Sequence, residues 1–390
     1  MSTGSAARAA TKGEDLGERR VTPLELFFDL VFVFALTQVT GLLADEPTWL
    51  GLLRGLAILA ALWWAWVCYS WLTNAVSAEE ALPARLVVLS AMAAMLVASL
   101  AVPGAFSEDA VVFGVAYFAV RLLHVALYAI ATGDEPEQQR AVLRLAPWLL
   151  AGPILLVAAG FLDGVAQAAF WAAALGSDFG GPLVRGVRGL RVHANHFVER
   201  YGLVVIIALG ESIVAVGVGA EGLALEAGVV LAAVLGVVVA AGLWWAYFDH
   251  VALAAERNLA RAQGHERAVR ARDSYGYLHL PMVAGVVLVA LGVKKTLEYV
   301  GEPLGAVPAV ALCGGVALYL LGHNAFRLRD VGDVSVARLF AAGASLALAP
   351  LALLAPALLT LAAVAALLAA LAAFETVREG QLRRKLRETR

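Results

Sequence analysis

The sequence predicts an all-α polytopic membrane protein with about 12 transmembrane helices. Of its 390 residues, 61% are hydrophobic and 15% are charged, whereas a typical soluble domain has about 25% charged residues. Many apolar runs approach or exceed the roughly 18–20 residues that a helix needs to cross a bilayer. Spans are expected at 24–43, 51–73, 84–105, 110–131, 143–161, 162–177, 200–220, 224–248, 275–293, 305–324, 334–353 and 356–374.

The distribution of Lys and Arg predicts that both the N and the C terminus are cytoplasmic. With 12 spans and an inside N terminus, 25 of the 29 Lys and Arg residues fall on the cytoplasmic side. Arg54 and Arg121 lie within spans, and only Lys294 and Lys295 lie outside. Cytoplasmic loops of membrane proteins carry such an excess of positive charge, and an odd number of spans would break the alternation.

An internal repeat predicts two parallel halves of six helices each. The sequence Leu-Trp-Trp-Ala-Trp at 62–66 returns as Leu-Trp-Trp-Ala-Tyr at 243–247, and Glu25 aligns with Glu199. An even number of spans per half gives a parallel repeat about an axis along the membrane normal. The expected organisation is a disordered cytoplasmic tail at 1–20, a first half at 21–177, a cytoplasmic linker at 178–199, a second half at 200–375 and a basic cytoplasmic tail at 376–390.

Two acids at the start of the first span are the leading candidates for function. Glu25 and Asp29 are four residues apart and therefore share one helical face. Acids inside membrane spans are rare and usually serve a substrate or ion path. For Glu25 the alternative is a helix N-terminal acid that the helix dipole stabilises. Asp29, one turn deeper, is the better candidate for a proton or cation path.

The seventh span supplies a second group of candidates. His196, Glu199 and Arg200 are spaced for local pairing on one helix, so an ion-pair cluster at the membrane surface is an equal alternative to a ligand site. Glu211, followed by Ser212, lies about 11 residues into the span and hence near the bilayer centre. A glutamate at that depth must be protonated, paired or in contact with water.

The expected partner of Glu211 is Arg121, and Asp29 is the alternative partner of Arg121. Arg121 stands in the fourth span with His124 three residues on, and two opposite charges at one depth reduce each other's desolvation cost. The alternative is a purely structural pair. A lone histidine in an apolar helix is more often hydrogen-bonded across helices. Asp249, at the end of the eighth span, lines a cytoplasmic vestibule or ends a solvated helix.

Several classes of protein and site are not expected. The sequence lacks a P-loop, a metal-binding His spacing and a basic patch interleaved with aromatic residues. No soluble segment is long enough for an enzyme domain, and the first 20 residues lack the apolar stretch of a cleavable signal peptide. We therefore expect no enzyme activity, no cofactor, no metal and no nucleic-acid partner. The expected setting is the bacterial plasma membrane, with the lipid bilayer and an unidentified ion or small molecule as partners; the oligomeric state stays open.

Two long segments resemble the signature segments of the bacterial low temperature requirement protein A family. They are Thr-Pro-Leu-Glu-Leu-Phe-Phe-Asp-Leu-Val-Phe-Val at 22–33 and His-Phe-Val-Glu-Arg-Tyr-Gly at 196–202, the latter continued by Ile-Ile-Ala-Leu-Gly-Glu-Ser-Ile at 206–213. The resemblance extends over roughly 21–375. It implies a link to growth in the cold and no particular biochemical activity. Phe27-Phe28-Asp29 is also similar to the Phe-Ser-Asp motif in the first helix of certain potassium channels, with Phe28 in place of serine.

Three functions follow as hypotheses. The first is a proton- or cation-coupled secondary transporter in which Asp29 and Glu211 are carriers and Arg121 is a switchable counter-charge. The second is a cation channel lined by the first and seventh helices. The third is a non-transporting membrane protein involved in cold or lipid adaptation, in which the buried charges would matter only for stability.

Overall fold

The protein is a bundle of helices. The computed structural model describes residues 20–77, 79, 81–248 and 251–388, and these contain no strand. The predicted tail at 1–20 falls almost wholly outside the described residues. The helices are α1 Pro23–Asp45, α2 Trp49–Ala75, α3 Leu82–Leu100, α4 Ala110–Ala131, α5 Pro136–Ala159, α6 Gly164–Arg185, α7 Ala194–Ala220, α8 Ala227–Phe248, α9 Val251–Arg261, α10 Gly264–Arg270, a π-helical turn Ala271–Tyr277, α11 His279–Glu298, α12 Ala306–Val331, α13 Val336–Ala347, α14 Ala349–Ala352 and α15 Ala357–Glu388.

Ten helical segments in the described part of the chain are long and apolar enough to cross a membrane. They are α1–α5, α7, α8, the continuous segment Gly264–Glu298, α12 and the first part of α15. The expected spans at 162–177 and 334–353 correspond to α6 and to α13 with α14. Neither is among the ten: the apolar run of α6 is interrupted by polar residues, and the other region is broken before Ala349. The multi-pass helical class is therefore confirmed, with ten candidate spans.

The connection between α6 and α7 is shorter than the predicted linker at 178–199. Helix α6 continues to Arg185 and α7 begins at Ala194, so only residues 186–193 are non-helical. Asp178 is still inside the bundle, and α6 ends where Gly186 adopts a φ of 68°, a conformation that glycine tolerates best. In the same way, α15 extends through much of the predicted tail at 376–390.

The start of α1 is fixed by its own sequence. Thr22 accepts a hydrogen bond from the backbone N–H of Glu25, and the Glu25 carboxylate accepts one from the Thr22 N–H. This reciprocal arrangement is a capping box, and Pro23 is the first helical residue, where its missing N–H costs nothing. The cap sets the depth of Glu25 and, one turn on, of Asp29.

Helix α11 lies at the centre of the second half of the chain, where it packs on α7, α12 and α1. Small residues allow its close approach to α12. A Cβ added to Gly285 would lie 2.6 Å from the carbonyl oxygen of Gly315, and one added to Gly315 would lie 2.7 Å from that of Gly285. Close backbone packing through glycine is a common way of joining membrane helices. Helix α7 also packs on α11.

The two similar tryptophan segments lie in different surroundings. Trp63 and Trp64 of α2 are buried, whereas Trp244 and Trp245 of α8 are 45% and 37% exposed. Helix α2 lies between the first half of the chain and both α7 and α11, while α8 packs mainly on α7 and α15. The tryptophans of the first segment therefore face the interior of the bundle, whereas those of the second are partly exposed.

Candidate ion-coupling site

The buried charges of α1 and α7 face each other across one helix–helix contact. Glu25 lies against His196 and Asp29 against Arg200, each pair 171 positions apart, and Thr37 lies against Glu211, 174 positions apart. An almost constant separation means that the two helices run parallel and side by side. Of the two alternatives for this group, local pairing of His196 and Arg200 with Glu199 does not occur, because both side chains are turned inward onto α1.

Asp29 and Arg200 form a buried ion pair whose hydrogen-bonding capacity is only partly used. Both donors, Trp66 Nε1 at 2.9 Å and Arg200 Nη2 at 3.0 Å, point to the same oxygen, Oδ1. Asp29 Oδ2 and the Nε and Nη1 atoms of Arg200 are buried and have no hydrogen-bond partner among the described residues. The guanidinium also lies 5.7 Å from the centre of the Trp66 ring, a cation–π distance. The pair therefore has unused donors and an unused acceptor.

Glu25 and His196 form the second buried contact. His196 Nε2 lies 3.0 Å from Glu25 Oε2. The other ring nitrogen, Nδ1, lies 3.1 Å from Asn74 Nδ2, and Asn74 Oδ1 accepts from the backbone N–H of His193. This fixes the amide so that its N–H donates to Nδ1, which assigns the ring proton to Nε2. His196 is thus oriented to donate from Nε2 to the Glu25 carboxylate.

The charges of this cluster do not balance. Glu25, Asp29, His196 and Arg200 are at most 3% exposed, and Arg200 lies within electrostatic range of both carboxylates. Two carboxylates share one guanidinium, so the cluster is neutral only when it also holds one proton, on His196 or on a carboxylate, or one cation. A buried charge without compensation is costly, so the cluster favours the uptake of one proton or one cation.

Glu211 forms a separate polar layer further along the same contact. Its carboxylate accepts a hydrogen bond from Thr37 Oγ1 at 2.5 Å, and the side chain is 1% exposed. The hydroxyl of the adjacent Ser212 is buried without a hydrogen-bond partner among the described residues. Thr37 is eight residues beyond Asp29, or about 12 Å along the helix. The expected Arg121–Glu211 pair and its alternative, Arg121–Asp29, are both wrong, because Asp29 pairs with Arg200 and Arg121 with Asp178.

Arg121 belongs to a different buried ion pair, with Asp178 of α6. The Nη2 atom lies 2.9 Å from Asp178 Oδ1, and Tyr117 donates to Asp178 Oδ2 at 2.9 Å. Arg121 also donates to the carbonyl oxygens of Trp64 and Leu149. Every nitrogen of the Arg121 guanidinium and both carboxylate oxygens of Asp178 have a hydrogen-bond partner, and the two charges cancel. This geometry indicates a structural pair that fastens α4 to α6.

A third buried pair joins α13 to α15. Arg338 Nε and Nη2 donate to Glu375 Oε1 and Oε2 at 2.7 and 2.9 Å, and the guanidinium also contacts His323. Arg338 is fully buried. The contact is bidentate, as guanidinium and carboxylate geometry favours. In this pair, as in Arg121–Asp178, both carboxylate oxygens accept a hydrogen bond.

The remaining predicted site residues lie apart from these clusters. His124 is buried between Tyr69 and Tyr128, and neither ring nitrogen has a hydrogen-bond partner among the described residues. Glu199 is on the surface, where it accepts from the backbone N–H of Val21. Asp249 lies outside the described residues. No group of three His, Cys, Asp or Glu side chains suited to a metal occurs among the described residues.

Sequence reasoning missed the partners Asp178, Trp66 and Glu375. Asp178 falls one residue beyond the predicted sixth span and was assigned to the linker. Its signal was available: a single acid with an apolar run before it and small or apolar residues after it, Ala-Ala-Ala-Leu-Gly-Ser before and Phe-Gly-Gly-Pro-Leu-Val after. Glu375 follows an Ala- and Leu-rich run in the same way. The choice of Trp66 over its neighbours as the donor to Asp29 depends on helix packing alone.

Comparisons with known proteins give the relatives of this chain. A sequence model of the bacterial low temperature requirement A protein (LtrA) family matches residues 20–373. The chain is also similar to an uncharacterized protein of Rhizobium meliloti (strain 1021), with 30% identity over 323 residues, which cover 79% of this chain and 77% of the relative. No solved structure matches the chain.

Proposed function

We propose that this protein, which belongs to the bacterial low temperature requirement A family, is a proton- or cation-coupled secondary transporter. The observation that carries the proposal is the charge imbalance between α1 and α7, where Glu25 and Asp29 share Arg200. Ionisable groups inside membrane segments commonly form ion paths and proton relays. A site with one negative charge too many can bind a proton or a cation and release it on the other side of the membrane.

The partial use of hydrogen bonds in this cluster supports a site that changes its partners. Arg200 has two unused donor groups and Asp29 has one unused oxygen. The pair can therefore separate without breaking a closed network, and the freed groups can bind water, a substrate or an ion. Arg200, rather than Arg121 as the sequence suggested, is the proposed switchable counter-charge.

The layer of Thr37 and Glu211 extends the proposed path along the same helices. Between this layer and the Asp29 layer lies Phe32, which is fully buried and packs near the ring of Trp66, with ring centres 6.1 Å apart. In the proposed cycle a small change in the α1–α7 contact opens this apolar barrier. An ion or proton then moves between Asp29 and Glu211, which are the carriers.

We further propose that the transporter has 12 spans in two parallel six-helix halves with cytoplasmic termini in the bacterial plasma membrane. Several neighbour relations recur between the halves: α1 packs on α3 as α7 packs on α11, and α3 packs on α4 as α11 packs on α12. The Tyr117 hydroxyl of α4 donates to a carbonyl of α2, and the Tyr319 hydroxyl of α12 donates to one of α8. In repeat transporters, substrate and ion sites lie at the contact of the halves, as the α1–α7 cluster does.

The proposal is tested by flux into liposomes that contain the purified full-length protein. A pH-sensitive dye inside reports protons, radioactive Na⁺ and K⁺ report cations, and a mixture of amino acids, sugars and nucleosides is supplied outside. Wild type should show flux, and Asp29→Asn should reduce it at least tenfold. Glu199→Gln is the matched control, since this exposed acid on α7 lies outside the cluster and should keep wild-type flux.

The same assay separates the alternatives. Stepwise single-channel currents, far above transporter turnover, would replace the transporter by a cation channel lined by α1 and α7. Folded wild type that moves no proton, cation or solute would count against both and favour a role in lipid or cold adaptation without transport. Equal flux in wild type and Asp29→Asn would remove the cluster from the mechanism.

A further inference from the structure

The cytoplasmic end of α12 contains a buried carboxylate that takes no part in the α1–α7 cluster. Asp330 is 4% exposed, and both its carboxylate oxygens are buried without a hydrogen-bond partner among the described residues. Asn258 of α9 donates to the backbone oxygen of Asp330 at 2.7 Å, which fixes the position of the residue. An unpaired buried carboxylate is costly, so its retention calls for an explanation.

The position of Asp330 in its helix makes the cost larger. It lies in the last turn of α12, which ends at Val331 and is followed by Gly332 in the left-handed conformation. The C-terminal end of a helix carries partial negative charge and favours cations. A negative side chain there adds to the charge of the free carbonyl groups. Both sources of negative charge would be relieved by a positive ion.

The π-helical turn adds neutral ligands beside the carboxylate. The Ser274 hydroxyl is fully buried and close enough to Asp330 to stabilise its carboxylate, without the full geometry of a hydrogen bond among the described residues. The Tyr275 hydroxyl, also within electrostatic range of Asp330, is buried and unpartnered in the same way. Such turns interrupt the regular backbone hydrogen bonds of a helix and occur often at functional sites.

The arginines around Asp330 are engaged elsewhere. Arg329 lies within range of Asp330, but its Nη2 atom bonds Asp273 at 3.1 Å. Arg270 is also within range and bonds Glu266 at 2.9 Å. Asp273 is shared with Arg272, so it adds no free negative charge. No arginine side chain forms an ion pair with the Asp330 carboxylate among the described residues.

We propose that Asp330 and Ser274 form a binding site for a monovalent metal cation, with Na⁺ as the best match. A hard cation takes oxygen ligands, and one carboxylate with neutral oxygens balances a single charge. Ca²⁺ takes six to eight oxygens, commonly including several carboxylates. No group of three acidic, His or Cys side chains lies here among the described residues, so the site does not match Ca²⁺. Interrupted membrane helices whose carbonyl groups bind Na⁺ are a known device of transporters.

A cation at this site would stiffen the π-helical turn, which belongs to the second half of the chain and contacts helices of the first half. Gly276 of the π-helical turn accepts a hydrogen bond from Trp63 Nε1 at 2.8 Å, and Tyr277 donates to the carbonyl of Phe179 on α6. The ring of Trp63 stacks on that of Trp66, the donor to Asp29, with centres 5.2 Å apart. Occupancy of the site can thus influence the α1–α7 cluster, although binding itself does not depend on transport.

The test is thermal unfolding of the purified full-length protein in detergent, in NaCl, KCl or choline chloride at equal ionic strength. A ligand that binds only the folded state raises the melting temperature. Wild type should melt several degrees higher in NaCl than in choline chloride. Asp330→Asn should lose this difference, and Ser274→Ala should need a higher Na⁺ concentration for the same shift. The matched control is Asp333→Asn, an exposed acid three residues on that pairs with Arg327, and it should respond to Na⁺ like wild type.

Other outcomes would overturn the assignment. Equal melting of wild type in all three salts, or a Na⁺ shift that survives in Asp330→Asn, would refute the site. A shift with Mg²⁺ or Ca²⁺ but not with Na⁺ would refute the monovalent ion. A third outcome is that acidification, but not Na⁺, raises the melting temperature of wild type, and that Asp330→Asn has this raised melting temperature in every salt. This outcome would assign a proton to the site instead of Na⁺. If Asp330→Asn does not fold, binding of radioactive Na⁺ to wild type and Ser274→Ala decides: unchanged binding in Ser274→Ala refutes the site, and weaker binding supports it.

Discussion

Asp29–Arg200 and Arg121–Asp178 are the same chemical pair in two regions of one bundle, and they differ in how completely they are satisfied. In Arg121–Asp178 both carboxylate oxygens are bonded, the guanidinium also holds two carbonyl groups, and the charges cancel. In Asp29–Arg200 one oxygen and two guanidinium nitrogens are unused, and Glu25 adds a second carboxylate. Burial alone therefore does not identify a functional ion pair. The balance of charges and the number of free hydrogen-bonding groups do.

The largest difference is expected when each pair loses its acid. Asp178→Asn leaves Arg121 buried without a counter-charge, which typically costs about 3–5 kcal/mol of unfolding free energy. Asp29→Asn leaves Arg200 with Glu25, and its amide oxygen can still accept from Trp66 and Arg200, so the loss should stay below about 1 kcal/mol. Thermal unfolding in detergent measures both.

The double replacement Arg121→Met with Asp178→Leu is the control for this comparison. Replacing a whole buried ion pair by apolar residues is often neutral, so most of the stability that Asp178→Asn loses should return. An Asp29→Asn protein that is as unstable as Asp178→Asn would show that the two pairs do not differ in the way described.

A smaller effect is expected at the tryptophan that holds Asp29. Trp66→Phe keeps the aromatic ring and removes the donor to Asp29 Oδ1. A hydrogen bond to a charged group contributes about 1.5–3 kcal/mol, so the unfolding free energy should fall by about 2 kcal/mol. The matched control is Trp64→Phe, because Trp64 Nε1 is buried without a partner among the described residues. Equal losses in the two variants would mean that the Trp66–Asp29 bond contributes nothing.

The hydrogen bond between Thr37 and Glu211 is expected to contribute less to the unfolding free energy than the bond between Trp66 and Asp29. Thr37→Val removes the hydroxyl that donates to Glu211 with little change in shape, and the net loss should be about 1 kcal/mol, since hydrogen bonds of this kind contribute about that much. Thr37→Ser keeps the donor and should behave like wild type. Chemical denaturation, with flux measured on the same preparations, tests both; an equal loss in Thr37→Ser would assign the effect to packing.

The smallest effect is expected for an ion pair that water reaches. Arg327 bonds Asp333, whose side chain is 58% exposed, and this bond lowers the pKa of Asp333 below its ordinary value of 3.8. A lowered carboxyl pKa gives stability that is present above 3.8 and is lost as the pH falls through the lowered value. Water screens such pairs, so Asp333→Asn should cost no more than about 0.5 kcal/mol at neutral pH. Its unfolding curve should approach that of wild type as the pH falls through the lowered pKa of Asp333; a difference that stays constant on acidification would contradict this explanation.

The sequence predicted the helical membrane class and the depth of the important acids. Composition and the length of apolar runs were sufficient for the class, and the apolar run that follows Glu25 and Asp29 placed both acids at the start of the first helix. The distance of Glu211 from the start of its span placed it deep in the membrane. These properties are local, because they depend on residues near one another in the chain.

The partners could not be predicted, because pairing depends on helix rotation and on which helices are neighbours. Arg121 and Glu211 have suitable depth, yet α4 packs on α5 and α3 whereas α7 packs on α1 and α11. Asp178 was missed because its helix continues past the predicted end of the span. The spacing of His196, Glu199 and Arg200 also fits local pairing, and only the contact with α1 shows that two of the three face inward.

The most direct test of the difference between the two pairs is flux per folded molecule in Asp29→Asn and in the double variant Arg121→Met with Asp178→Leu. Each is reconstituted at equal folded protein, and wild type serves as the reference. If the imbalance at α1–α7 drives transport, Asp29→Asn should be folded and at least tenfold less active. The double variant should keep most of the wild-type flux. Flux that survives in Asp29→Asn and disappears in the folded double variant would reverse the assignment and make Arg121–Asp178 the working pair.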